Sequence, residues 1–375
     1  MGFNPYLCAN FRGRMCKKSI KSLLVTVFSS LILLYSNITI AQDHGGNHGD
    51  SAEKEFDVTA TILDHIRDDH SWHLWGHTSL PLPVILKTDK GFETFSSAKL
   101  VGEHHEPVVY NGNYPYKSIE GKIKVVNEDG SVNEEASKKI LDISVTKNVA
   151  SMFFTVFLLI VIFVGVARAY RKTGVTSAPK GFQSFIEPII LFVRDEIAKP
   201  YLGHHYARFM PFLLSVFFFI WINNMLGLVP FFPGAANVSG NIAFTMTLAL
   251  FTFVIVNVNG KKGYWEHIFW MPGLPTPMKI FLAPIELLGV FIKPVSLMIR
   301  LFANITAGHI LVMSLICLIF IFKSVAASAI AVPFAVFIYT IELLVAFLQA
   351  FIFTMLSALY IGMAIEEHHE EELML

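Results

Sequence analysis

Hydrophobic positions in this chain fall mostly into unbroken runs, with alternation confined to one stretch in the first third. The first run, residues 23–35, follows Arg12, Arg14, Lys17, Lys18 and Lys21 and gives way to small residues ending at Ala41. A basic start, a short apolar stretch and a small-residue end predict a secretory signal over residues 1–41, cleaved after Ala41. An uncleaved anchor is the competing reading, although the run is short against the roughly 20 residues that a span needs. Residues 42–147 are polar and hold period-2 segments such as 122–126, followed by the turn pattern Asn127-Glu128-Asp129-Gly130. They predict a small β-containing domain of hairpins, placed outside the cytoplasm.

Residues 148–375 read as a membrane domain. The run 149–166 ends at Arg168, Arg171 and Lys172, so the positive-inside rule puts that end in the cytoplasm. Pro179, Pro188 and Pro200 mark a mixed connecting segment, after which spans are expected at 210–232 and 242–258, joined by an outer loop at 233–241. The second of these returns to Lys261 and Lys262, again a basic inner flank. Two longer segments follow at 277–322, broken by Pro284 and Pro294, and at 325–363. From Pro333 onward the last one is about 45 Å long as a helix against about 30 Å of hydrocarbon, so it must tilt strongly or break. The expected fold is an all-α polytopic membrane protein of about five transmembrane helices, the last two long and tilted, with the acidic tail at 366–372 in the cytoplasm.

Composition agrees: 54% of the 375 residues are hydrophobic and 15% charged, which a soluble globular chain rarely combines. A formal net charge of zero gives no reason to expect nucleic acid as a partner. Cys8, Cys16 and Cys317 suggest neither a disulfide framework nor a zinc site, and no cofactor is implied. Eight histidines fall in residues 42–147, among them His65, His70, His73 and His77. The last three could share a helical face and hold a metal, but no cysteine or fixed carboxylate pattern accompanies them, and solvated surface is the reading adopted.

Five ionisable residues stand inside apolar runs: Glu286, Lys293, Arg300, His309 and Glu342. Each costs several kcal/mol against lipid, about 2.5–3.5 by insertion scales, so such groups face a partner or an aqueous cavity. Glu286 and Lys293 lie nearest a segment end, where snorkelling to the interface is the plain alternative. Ser296, Arg300, Asn304 and Gly308 recur at i, i+4 and form one slowly drifting stripe, and a small residue in it permits close approach by another helix. Glu342, Gln349 and Tyr360 share a face on the next segment. If the two helices run antiparallel with Arg300 opposite Gln349, then His309 and Glu342 fall roughly in register. Nine residues turn a straight helix by about 180°, so Arg300 and His309 point apart; Arg300 faces a third body while His309 faces Glu342. A histidine beside a carboxylate is a plausible proton relay, since imidazole titrates near neutrality and uses two different nitrogens. Arginine is effectively never deprotonated, so it attracts a passing carboxylate without carrying a proton itself.

The stretch Lys293-Pro294-Val295-Ser296-Leu297-Met298-Ile299-Arg300-Leu301-Phe302-Ala303-Asn304, with Ala307-Gly308 beyond it, resembles the signature of the ATP synthase a subunit family. Leu348-Gln349-Ala350-Phe351-Ile352-Phe353 and Ala364-Ile365-Glu366-Glu367-His368 are similar to that family's last helix. The resemblance covers roughly residues 148–370. It implies a non-catalytic, proton-translocating subunit of a bacterial inner-membrane F-type ATP synthase, working beside c-ring and b subunits. Arg300 would then separate two offset aqueous half-channels, with Asn304 and Gln349 as its polar neighbours and Glu286 at the cytoplasmic exit. His309 and Glu342 resemble the family's uptake pair with the two residue types exchanged. The region 42–147 departs from the family's short N-terminal segment. Two other classes stand beside this reading: a proton-coupled transporter, expected to show internal repeats that are not seen, and a membrane-anchored metal sensor built on the histidine-rich region.

Overall fold

The computed structural model describes residues 62, 67–75, 78–102, 107–119, 121–127, 129–173, 181–229, 234, 236–271, 273–322 and 325–366, all within one compact unit, Phe56–Leu375. The expected signal segment, His65, His77 and the acidic residues 367–372 lie outside the described residues.

The first part is β-structure. Strands β1 (Ser71–Trp75) and β2 (Thr78–Pro81) pair antiparallel. Strands β3 (Pro83–Thr88), β4 (Gly91–Ser96) and a short β8 (Leu141–Asp142) form a sheet with β3 in the centre. Strands β5 (Tyr110–Asn111), β6 (Pro115–Ile119) and β7 (Lys122–Val125) form another, with β6 central. Alternation directs the packing: Val84 and Leu86 of β3 and Ile123 and Val125 of β7 turn inward onto Phe95, Leu100 and Tyr116. The turn after β7 closes through Gly130 at φ 80°, a conformation that glycine adopts without a Cβ penalty. A one-turn helix, α1 (Glu134–Lys138), is capped by the Asn133 side chain, whose Oδ1 accepts from the Ala136 amide.

The two ends of this region meet. Asp68 accepts hydrogen bonds from Thr146 Oγ1 at 2.8 Å and the Asn148 amide at 3.2 Å, and the Lys147 amide donates to the Asp69 carbonyl at 2.9 Å. The expected helical face of histidines does not form: His70 lies in a bend and His73 in β1. His70 is also not solvated surface. It is 4% exposed, with Nε2 3.3 Å from Asp142 Oδ2.

Helix α2 (Lys147–Thr173) then begins a bundle, and its last turn carries Arg171 and Lys172. The segment expected to be a mixed connection is instead helical. Helix α3 (Gln183–Phe192) runs through Pro188, widens into a π-type turn at Val193–Ala198 and continues over Lys199–Leu202. Pro200 sits at the start of that last piece, where an amide has no helical partner to lose. Gly203 at φ 51° interrupts the helix ahead of α4 (Tyr206–Leu228), which starts before the expected Met210. Helix α5 (Ile242–Asn259) is capped by Asn241, and α6 (Lys262–Phe269) is short.

Helices α7 (Thr276–Phe322, 47 residues) and α8 (Val325–Ile365, 41 residues) complete the chain. Pro284 and Pro294 do not break α7: each removes one amide donor, and the helix continues past both. At 1.5 Å per residue α7 is about 70 Å long, well beyond about 30 Å of hydrocarbon. Five helical segments are long and apolar enough to cross a membrane: Lys147–Lys172, Gln183–Leu228, Ile242–Asn259, Thr276–Ile319 and Ser328–Ile365. An aromatic cluster of Phe217, Phe218, Trp221 and Phe347 locks α4 to α8, with ring centroids 5.4–6.0 Å apart.

Candidate functional site

Helices α7 and α8 pack antiparallel, and two contacts set their register. At one end a Cβ on Gly308 would fall onto the Glu342 carboxylate, so the missing side chain of α7 makes room for the acid of α8. At the other, Lys293 Nζ sits 5.7 Å from the Tyr360 ring centroid. Arg300 lies between Lys293 and Gly308 on α7, and Gln349 between Glu342 and Tyr360 on α8. The two expected polar stripes therefore run along one helix pair.

The two central residues differ in setting. Gln349 is buried, 3% exposed, in the packing of the bundle. Arg300 is only half-buried, and the neighbours that share its face, Ala303, Asn304 and Ala307, are exposed. Ser296, one turn earlier, is partly covered. Among the described residues no carboxylate forms an ion pair with Arg300. A cation on a stripe of short side chains can be approached closely by a helix from another subunit.

Toward the β-region, His309 Nε2 lies 4.0 Å from the position a Cβ would take on Gly227, in the last turn of α4. The Ala236 carbonyl lies 3.3 Å from that same position. Tyr339 donates its hydroxyl proton to the Leu228 carbonyl. Ser239 Oγ donates to Asn224 Oδ1 at 2.5 Å, and Asn224 Nδ2 donates to the Ala346 carbonyl at 3.2 Å. Thr155 Oγ1 donates to Asn223 Oδ1 at 3.1 Å. His309, Glu342 and Gly308 thus sit in a polar neighbourhood that also includes Asn223, Asn224, Ser239 and Tyr339. These four were missed in the sequence because polar residues were followed only along the two stripes that carry Arg300 and Glu342, and Ser239 fell in the expected outer loop; the adjacent pair Asn223-Asn224 in a run of aromatic and aliphatic residues was the available signal.

At the opposite end, Lys293 and Tyr360 help line a small cavity of about 20 Å³ together with Thr252, Asn257, Tyr264 and Pro294. That is room for about one water molecule. Glu286, partly exposed, lies two turns before Lys293 on α7. The backbone is tightly tied here: a Cβ on Gly362 would strike the Tyr201 carbonyl, and the Lys261 amide donates to the Ala364 carbonyl at 2.9 Å. Among the described residues no three His, Cys, Asp or Glu side chains group as a metal site.

Long apolar helices with ionisable groups inside them define a polytopic membrane protein. A family model described as ATP synthase A chain matches residues 149–362, and a second, described as a domain of unknown function, matches residues 61–143. ATP synthase subunit a 2 of Chlorobaculum tepidum is 46% identical over 358 residues, 93% of this chain and 93% of that protein. ATP synthase subunit a of Chloroherpeton thalassium is 46% identical over 237 residues, 61% of this chain and 70% of that protein. ATP synthase subunit a of an Anaeromyxobacter species is 42% identical over 243 residues. The chain belongs to the ATP synthase A chain family.

Proposed function

We propose that this chain is the proton-translocating a subunit of a bacterial F-type ATP synthase, a non-catalytic subunit seated in the inner membrane. Its partners are the c-ring subunits, the b subunits and the rest of the complex, and the surrounding lipid. The β-region lies on the extracytoplasmic side and the C-terminus in the cytoplasm, an orientation supported by the basic flanks at Arg168, Arg171 and Lys172 and at Lys261 and Lys262.

The carrying observation is Arg300: a permanent cation midway along α7, half-buried on a stripe of short side chains and without an ion-paired carboxylate among the described residues. Such a charge in a span calls for a counter-charge from elsewhere, and a carboxylate on the passing ring supplies it. Protons enter at His309 and Glu342, where imidazole accepts at one nitrogen and releases from the other. They pass to a ring carboxylate, which as a neutral acid can leave Arg300 and enter lipid. On return from the other side the acid gives up its proton near Glu286 and is drawn to Arg300 again. Asn304 and Gln349 flank the cation, and because arginine stays protonated it blocks direct leakage between the two routes.

Arg300→Ala should abolish ATP-driven proton pumping in inverted vesicles while the subunit still inserts. Arg300→Lys should fail as well, because a compact ammonium shifts its pKa readily and lacks the planar fork. Normal pumping with either variant would refute the proposal.

A further inference from the structure

The β-region is fastened to the bundle at a second place, three residues along the chain from Asp69, where its ends meet. Trp72 of β1 is 4% exposed, and its indole Nε1–H donates to the Gly234 carbonyl at 3.0 Å in a buried hydrogen bond. Gly234 lies between α4 and α5 and is closely packed. A Cβ on Gly234 would run into the Val229 and Leu226 carbonyls, so the backbone is folded directly onto the end of α4. Two residues on, the Ala236 carbonyl packs against Gly227, at the position that lies 4.0 Å from His309 Nε2. The same turn of α4 carries Leu228, whose carbonyl takes the Tyr339 hydroxyl, and Tyr339 is three residues from Glu342 on α8. Contacts at Gly234 and at Ala236 therefore link an indole in the β-region to the end of the bundle that holds His309 and Glu342. Ser239 reinforces this link by fixing the far side of the connection to Asn224 at 2.5 Å.

We infer that Trp72 is a positioning residue for proton uptake: through Gly234 it holds the α4–α5 connection over the His309 and Glu342 end of the bundle, so that the β-region shapes the access route. This rests on the function proposed above. A buried indole N–H must have an acceptor, and this one takes a backbone carbonyl 162 positions away on the bundle rather than one in the β-region, which fixes where the two meet. The inference gives the β-region a task in proton access that its own hydrophobic core does not require.

The test uses the assembled complex in right-side-out vesicles, with ATP synthesis measured against extracytoplasmic proton concentration and normalised to the complex present. Trp72→Phe keeps an aromatic ring and removes the donor. Gly234→Ala moves the same connection from the other side. Each should raise the proton concentration giving half-maximal rate by about five- to tenfold, the worth of one lost buried hydrogen bond, with the maximal rate at high proton drive near wild type. The double variant should be no worse than the stronger single, because both break one link. A lower maximal rate with unchanged half-saturation would mean a merely structural role and would overturn the inference, as would no change in either variant. If Arg300→Ala abolishes pumping and the two variants behave as wild type, this inference falls alone. If Arg300→Ala still pumps, the proposed function falls and takes this inference with it.

Discussion

Replacing Gly308 with alanine separates packing from chemistry at one atom. The new Cβ would lie 2.9 Å from Glu342 Cδ and 3.1 Å from its Cγ, where ordinary contact begins at 3.4 Å, and the nearer carboxylate oxygen would be closer still. The Cδ must retreat by 3.4 − 2.9 = 0.5 Å or more and the oxygen further, on the order of an ångström. Stability should change little. Glycine to alanine inside a helix favours the helix by about 1 kcal/mol, and crowding a packed site costs about 1–3 kcal/mol, here softened because the displaced group is the end of a flexible side chain. Proton transfer is far less tolerant, since misplacing a reacting group by about 1 Å can cost on the order of a hundredfold. The expected outcome is a complex that assembles and melts within a few degrees of wild type yet pumps about 10- to 100-fold more slowly. ATP-driven acidification of inverted vesicles, normalised to complex content, measures it. The decisive control is the same change in a Glu342→Asp background, where the carboxylate has already withdrawn and the alanine should cost little more. Equal losses in both backgrounds would show that Gly308 does not act through Glu342 and would refute the argument.

Exchanging the pair, His309→Glu with Glu342→His, should recover more proton flux than the two single losses multiplied together, because a lone survivor is poorly compensated in the low-dielectric interior; a double-mutant cycle giving additive losses in log rate would mean that the two do not share a path. In the β-region, burial pushes the Asp142 carboxyl up, but hydrogen bonds from His70 and Ser144 outweigh it and hold the group below its ordinary value. A depressed carboxylate stabilises above its unfolded pKa of about 3.9 and loses that contribution as pH falls through the folded value. Hydrogen-exchange protection of β3 and β8 in the solubilised complex should thus hold from pH 7 to about pH 4 and fall only below it; loss of protection well above pH 4 would refute the assignment to Asp142.

The spans were readable where one property decided them. Helix α2 ends where Arg171 and Lys172 demand water, and α5 begins at an asparagine cap after a polar loop. Arg300 and Glu342 stood out because charge in a long apolar run is a local signal, and Gly308 because it is a small residue at helical spacing from Arg300. Prolines misled the reading: Pro188, Pro284 and Pro294 lie inside helices, where packing on neighbouring elements outweighs one missing donor. The histidine spacing was read with a helical period, but β1 imposes a period of two there. No local pattern could announce the bond from Trp72 to Gly234, since its partners are 162 residues apart and neither carries a charge. Asn223 and Asn224 were legible in principle, as amides within a span need partners just as charges do.

The meeting of Asp68 and Asp69 with Thr146, Lys147 and Asn148 makes the β-region a closed loop on a fixed stem. The stem holds the first residues of α2, and lengthening a loop closed at such a stem costs only about 0.6 kcal/mol per doubling. The region is therefore a cassette: its content could be traded for another fold, or trimmed to a tight turn, with the five spans left as they are. What a substitute could not inherit is Trp72, so a chimera keeping the stem but not that indole should assemble normally and differ from the parent only in how it meets the water outside.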